Sequence, residues 1–407
     1  MKLKISKLLT SYFQLIFTLL ILLWISSFVE WFLTDYEGDL SALNIIVYKF
    51  LNDFWAVTFL GIVFFPLFWL FGLILKKYPT SIFQVLFLII LLIQASLIKY
   101  SLTTHINLGA DLLGYSYNDM YTTVTSSVPL SLYTFLPFLL LIGLFYGVYW
   151  FLKKWLNGSR VLIISILLIL IFGSLKLVFA DASNELFQNK TQYLVTEIIN
   201  FHTEKYKSNA NLYGRDDYPL LKSSSKSKPN IVIIMVEGLG GEFVGNHTYA
   251  GFTPYLDSLI SKSLYWENFV SNTGRTFGIL PSLTASLPFG DTGFLEIHDT
   301  PSHISLISIL KANGYTTSYY SGDPSSFDRK INFLEYNQID DVIDESKYGP
   351  KYQKTAANEG GFSWGYPDEE IFKKMLESIQ NKKLPRLDIV MTLTNHEPFS
   401  FPNKKNI

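Results

Sequence analysis

The sequence predicts a five-span α-helical membrane domain followed by an extracytoplasmic α/β domain. Three observations carry that reading. Apolar residues fill 49% of the 407 positions while charged residues reach only 16%, against about 25% in soluble proteins. The apolar residues gather into five long runs before residue 180. Beyond residue 229, short β-branched runs alternate with segments of helical spacing, the pattern of a doubly wound sheet. The expected organisation is a membrane domain over 1–180, a juxtamembrane helix and linker over 181–229, and an α/β domain over 230–407.

The spans come first. Runs 8–29, 54–75, 78–98 and 128–152 carry no charge, and 161–180 is broken only by Lys176. A bilayer needs about 20 mostly apolar residues per helix, so each run is long enough to cross. Lys176 lies near one end, where its amine can snorkel to the interface. Lys2, Lys4, Lys7, Lys76, Lys77, Lys153, Lys154 and Arg160 fall on one side of a five-span topology, and only Lys49 and Lys99 on the other. The positive-inside rule then puts the N-terminus in the cytoplasm and everything after the fifth span outside. This is the topology of a multi-pass membrane protein whose second half lies outside the cytoplasm. Trp31, Trp55, Trp150 and Trp155 stand near span ends, where an aromatic belt would sit. The spans themselves hold almost no ionisable residues, which argues against a transport pathway.

Several functions are excluded at this level. Lys plus Arg is 33 and Asp plus Glu is 34, a net charge of −1, so no nucleic-acid partner is expected from global charge. Cysteine is absent, which removes disulfides, zinc–thiolate sites and a cysteine nucleophile.

The second half reads as follows. Apolar spacing predicts an amphipathic helix over 191–206, and KSSSKSKP over 222–229 is a Ser/Lys linker. NIVIIMV over 230–236 suits a strand buried on both faces. It runs into Glu237 and a cluster of Gly238, Gly240 and Gly241. A helix is expected over 253–263, with Thr253 as cap and Pro254 first. Another over 302–313 stops at Gly314. Strands are expected over 316–320 and 387–393, and a helix over 369–381.

In open α/β sheets, ligands bind beyond the strand C-termini. Glu237, Asp323 and His396 fall at such ends. Phe243 stands where a dinucleotide fingerprint needs its last glycine, so a carboxylate beside glycines suits a hard divalent cation better. SNTGRTFGILPSLTASL over 271–287 places Thr276 at an expected helix start. A hydroxyl there faces free N–H groups and the positive end of the dipole, which favours phosphate. It becomes a nucleophile when its pKa is lowered. Thr273 competes for either role.

The ordered motifs NIVIIMVEGLGG, TPYLDSLISKSLYWENFVSNTGRTFGILPSL, SGDPSSFDR, WGYPDEEIF and LTNHEPF, behind five spans, resemble the lipoteichoic acid synthase-like branch of the alkaline phosphatase and sulfatase superfamily. The resemblance implies an alkaline phosphatase/sulfatase-like α/β fold. It implies a metal, manganese with magnesium or zinc as alternatives, held by Glu237 and Thr276, and Thr276 as the catalytic nucleophile. It also implies substrate binding by Arg329 and His396, while Asp368 matches a motif acid read as structural. The activity implied is transfer of a phosphoglycerol-type group from a membrane phospholipid donor to a polyol, glycan or water acceptor. The family's metal site is completed by an adjacent Asp-His pair, and this sequence contains none. The α/β domain is therefore expected to be incomplete at its C-terminus, or the homologue inactive; Asp291, His298 and His303 could in principle substitute, but their spacing offers no positive support. Two alternatives stand beside the transferase. One is a phosphatase, phosphodiesterase or sulfatase of the same superfamily, although a threonine at the nucleophile position and the lack of cysteine count against sulfate esters. The other is a non-catalytic membrane protein with a truncated enzyme domain.

Overall fold

The computed structural model describes residues 2–34, 41–75, 78–104, 106–113, 115, 117, 120–121, 132–179, 187–203, 228–271, 276–287, 303–357 and 362–396. The chain divides into two compact units, Met1–Ala110 with Ser131–Thr203, and Asp111–Leu130 with Glu204–Ile407.

The first unit is built from α1 (Lys2–Leu33), α2 (Ala42–Ile74), α3 (Pro79–Thr104), α4 (Leu132–Trp155), α5 (Gly158–Val178) and α6 (Lys190–Thr203). The first five are long and apolar enough to cross a membrane, so the chain is a multi-pass membrane protein. Lipid tails are as apolar as leucine, so contact between spans relies on close packing. Leu15, Leu19 and Leu22 of α1 are fully buried against Phe68 of α2, Phe83 and Phe87 of α3, and Phe145 of α4. Phe83 meets Phe68 and Phe87 edge-on, with centroids 5.1 and 5.8 Å apart, the arrangement that ring quadrupoles favour. Lys176 of α5 lies over the Trp55 ring at 5.1 Å.

One expectation is corrected here. The membrane-spanning helices do bury ionisable groups: Glu30, Lys49 and Asp53 are all less than 5% exposed. Helix α2 starts at Ala42, well before the charge-free run at 54, so charges that read as loop residues are carried into the bundle.

The second unit holds a four-stranded parallel sheet of β1 (Ile231–Met235), β2 (Thr316–Tyr320), β3 (Asp341–Ile343) and β4 (Arg386–Met391), in the order β1-β4-β2-β3. Its helices are α7 (Pro254–Ile260), α8 (Thr276–Ala285), α9 (Leu306–Ala312), α10 (Lys330–Tyr336) and α11 (Asp368–Ile379). Central β4 is paired on both sides, Ile231 with Leu387 and Thr317 with Leu387 fixing the register. One sheet face packs Met235, Ile389 and Met391 against Leu280 of α8, Ile307 of α9 and Phe333 of α10. The other packs Tyr320 and Val390 against Ile371 and Met375 of α11. Helices on both faces explain why Ile389, Val390 and Met391 run apolar without alternation, while Asp388, also fully buried, is paired with Arg386 at 2.7 Å.

Local differences have local causes. Helix α9 starts at Leu306 because Ser305 and Ser308 form a capping box. Gly314, at φ +86°, closes it as expected. Thr253 does not cap α7: its hydroxyl donates to Phe243 O and Asp257 Oδ1 instead. Strand β1 is buried on one face only among the described residues, since Val232 and Ile234 remain about half exposed. Strand β3 and helix α10 were not expected. Three residues are too few to show periodicity, and KINFLEY is only two turns long. The linker over 222–227 lies outside the described residues.

Candidate active site

The four strands are parallel, so their C-termini share one edge of the sheet and the loops that follow are neighbours. Glu237 leaves β1 there and is half-buried. Its backbone N–H donates to Thr392 Oγ1 just past β4, at 2.8 Å. Gly238 sits at φ +61°, and a Cβ there would lie 3.0 Å from the carbonyl oxygen of Asn395. That position therefore needs glycine for both its conformation and its space. The loops after β1 and β4 are pressed together, which sets Glu237 beside the segment carrying His396.

Thr276 is the first residue of α8. Its Oγ1 donates to Glu237 Oε1 at 3.0 Å. The helix is seated by Leu280, which is fully buried in the core beneath the sheet edge. A hydroxyl with one carboxylate partner, at the start of a ten-residue helix, is thus held between a negative side chain and the positive dipole end.

His396 follows β4, with its ring 4.1 Å from Trp364. Trp364 also packs edge-on against Phe327, at 5.4 Å, two residues before Arg329. One indole therefore touches both the histidine loop and the arginine turn. Arg329 is exposed, and it and Asp328 both adopt left-handed backbone, at φ 56° and 54°. Such conformations cost about 1–3 kcal/mol each in non-glycine residues.

Asp323 does not face a ligand. It is buried and ion-paired with Lys330, the first residue of α10. Burial alone would favour the neutral amine of Lys330, but the Asp323 carboxylate outweighs it and raises the lysine pKa above its usual range. This pair anchors the turn that carries Arg329. His303 is not available as a replacement metal ligand. Its ring is 3% exposed, stacked on Phe333 and Tyr336, and contacts Asn337. Thr273, Asp291 and His298 lie outside the described residues.

Asp368 has a structural task. Its Oδ1 accepts from the backbone N–H groups of Leu393 and Thr394, at 2.6 and 2.9 Å. Its own N–H donates to Thr394 Oγ1 at 2.9 Å. It thereby pins the start of α11 to the turn that ends in His396. Hydrogen bonds to a charged group contribute about 1.5–3 kcal/mol, so Asp368→Ala is expected to lower stability by about 2 kcal/mol and to weaken any activity that needs His396. A thermal melt paired with turnover checks this; an unchanged melt and unchanged turnover would remove Asp368 from the design.

Glu237 and Thr276 offer two oxygen donors, the type a hard divalent cation prefers. Among the described residues no group of three or more acids or histidines converges on one point. The donor chemistry suits a hard divalent cation, although two donors by themselves fall short of the about six oxygens such an ion takes. Trp364 and Thr392, which orient the site, were not picked out from sequence. A lone aromatic in a loop and a threonine after a strand carry no chemical signature.

Residues 229–406 match the sulfatase family. The chain is 28% identical over 222 residues to lipoteichoic acid synthase 1 of Bacillus subtilis (strain 168), a match covering 52% of this chain and 32% of that protein. It is 27% identical over 219 residues to the lipoteichoic acid synthase of Staphylococcus saprophyticus, covering 51% of this chain and 31% of that one. These matches span about a third of the length of the curated relatives. In fold, it is similar to the integral membrane lipooligosaccharide phosphoethanolamine transferase A of Neisseria meningitidis, with a TM-score of 0.54 and 16% identity, covering 95% of this chain and 69% of that one.

Proposed function

From a chain that is a lipoteichoic acid synthase-like membrane protein of the alkaline phosphatase superfamily, we infer a membrane-bound transferase that moves a phosphoglycerol-type group from a lipid head to an alcohol, through a threonine nucleophile. The observation that carries it is the 3.0 Å hydrogen bond from Thr276 Oγ1, at the head of α8, to Glu237 at the tip of β1.

The reaction has two displacements. In the first, Thr276 Oγ forms a bond to phosphorus and the bond to the diacylglycerol oxygen breaks. The threonine proton leaves toward Glu237, and the departing oxygen is protonated by His396. In the second, an acceptor hydroxyl attacks the phosphothreonine and its proton passes to His396, while the bond from phosphorus to Thr276 Oγ breaks and that oxygen takes back the proton held on Glu237. Arg329 pairs two phosphate oxygens through its planar guanidinium. The left-handed turn and the Asp323–Lys330 anchor hold it out of the surrounding surface for that purpose. A divalent cation, manganese by resemblance, would be held by Glu237 and Thr276 and would lower the hydroxyl pKa and offset phosphate charge. Five spans keep the domain on the membrane and raise the effective concentration of a lipid donor. The domain faces outward, as the distribution of Lys and Arg favours.

The test uses the full chain in nanodiscs containing phosphatidylglycerol, with manganese, magnesium or zinc added separately, with and without a polyol acceptor. Diacylglycerol release matched by acceptor labelling is expected. Release of free glycerol phosphate regardless of acceptor would make the protein a hydrolase. No turnover with any metal would favour a non-catalytic membrane protein.

A further inference from the structure

The first unit contains a buried polar network that the chemistry above does not use. Glu30 of α1 pairs with Lys49 of α2 at 2.9 Å and with Lys190 of α6 at 3.2 Å. Asp53 of α2 accepts from Ser27 Oγ at 2.6 Å and from Asn189 Nδ2 at 2.7 Å. Lys190 Nζ also donates to Asn107 Oδ1 at 2.6 Å, beyond the end of α3. Gln94 of α3, itself 1% exposed, accepts from both the N–H and the hydroxyl of Thr191 through Oε1. Two carboxylates and two ammonium groups are thus buried with no net charge.

The wiring is specific. Asn189, Lys190 and Thr191 are consecutive at the start of α6, and each reaches a different span: α2, α1 and α3. Charged side chains at membrane depth are costly and mark function by default. A buried pair adds little stability over an apolar replacement, but it strongly selects one geometry over others. Here the geometry selected is the seat of α6. The Glu30–Lys49 and Ser27–Asp53 contacts already tie α1 to α2 directly, so what Asn189, Lys190 and Thr191 add is the attachment of α6.

We propose that this network is a clamp that locks α6 on the spans and fixes where the chain departs toward the catalytic unit, so that Asn189 and Lys190 are positioning residues for a membrane-borne donor. With α6 seated, the covalent path to β1 begins after Thr203 rather than after α5. A shorter tether holds the site at higher effective concentration near the bilayer. The inference rests on the reading that a membrane lipid is the donor.

The test compares two donors on the full chain: dioleoyl phosphatidylglycerol in vesicles and dihexanoyl phosphatidylglycerol as dissolved monomer. For Lys190→Met and Asn189→Ala, kcat/KM on the vesicle donor is expected to fall about threefold, the −3/2-power cost of a path to Ile231 that starts at Val178 instead of Thr203, with no change on the monomeric donor. Lys190→Arg is expected to keep both. Equal loss on both donors, or no loss on either, overturns the clamp. Asn189→Ala leaves both ion pairs in place and carries the test if Lys190→Met does not fold. A second readout needs no turnover. The chain has no cysteine, so spin labels at Leu43→Cys and Ile199→Cys, both exposed positions, report the α2–α6 distance cleanly. One narrow distance distribution is expected in the parent and a broad one with Asn189→Ala. A distribution that stays narrow overturns the clamp whatever the donor reading, whereas a silent wild-type enzyme with the expected distances refutes only the donor.

Discussion

Replacing Thr276 by Ala is expected to lower turnover at least a thousandfold while the melting temperature falls by no more than about 6 °C. Among the described residues the hydroxyl makes a single hydrogen bond, to Glu237, and it sits half-buried at the head of α8. Losing such a bond contributes only about 0.5–1.5 kcal/mol to stability, and the helix stays seated through Leu280. The loss of activity has a different origin. On the proposed mechanism, no covalent intermediate forms without Oγ and the two-step route closes. Thr276→Ser keeps the oxygen and is expected to retain measurable turnover, reduced by looser rotamer control once the β-branch is gone. Glu237→Gln keeps the shape but removes the charge that receives the proton, so it should resemble the alanine variant in rate. Intact-mass measurement during turnover supplies the independent check. The parent should show a phosphoglycerol adduct that Thr276→Ala cannot form. Full activity in Thr276→Ala would move the nucleophile elsewhere, and Thr273 would be the next residue to test.

Lys330→Met is expected to be strongly destabilising to the second unit. Lys330 and Asp323 are each about 5% exposed in their side chains and are paired to each other. Removing one member leaves a buried charge without its counter-charge, which costs about 3–5 kcal/mol. Asp323→Asn should do less harm, because the amide still accepts a hydrogen bond. The double change Asp323→Leu with Lys330→Met should recover much of the stability, since an apolar pair of similar volume is often neutral in such places. Activity is expected to part from stability in that double variant. Asp328 and Arg329, immediately before Lys330, hold left-handed backbone, and an apolar contact lacks the directional pull that keeps the turn strained. The KM for the donor should therefore rise, while kcat stays closer to the parent value. Thermal melts and a donor titration on the same preparations read the two effects. Equal stability of Lys330→Met and the parent would mean that the ion pair anchors nothing.

Much of this was legible in the sequence because it follows from composition and periodicity. The five spans follow from runs too apolar to stay in water. Strands β1, β2 and β4 follow from short β-branched and aromatic runs bounded by Gly, Pro and Asn. Glu237 and His396 were placed at strand tips by topology alone, since a parallel sheet gathers its C-termini on one edge. Asp323 satisfies the same rule and yet faces inward. What separates it from Glu237 is a lysine seven residues later on a helix too short to be read in advance. His303 is similar: Phe333 and Tyr336, remote in sequence, claim its ring. Thr253 reads as a helix cap, but Phe243 O and Asp257 compete successfully for its hydroxyl.

The sequence by itself determined that the protein is a multi-pass membrane protein with an α/β unit, and that candidate chemistry lies at the ends of β1, β2 and β4. Hydropathy and periodicity are local properties, read within one window of the chain. Only the tertiary structure decided which candidates meet. Thr276 reaches Glu237 across 39 positions, and Glu237 leans on Thr392 across 155. It also decided that Glu30, Lys49, Asp53 and Lys190 form one buried network. Each looks like an ordinary flanking charge until four helices close around them. Pairing between distant residues depends on chain closure, and no local pattern records it.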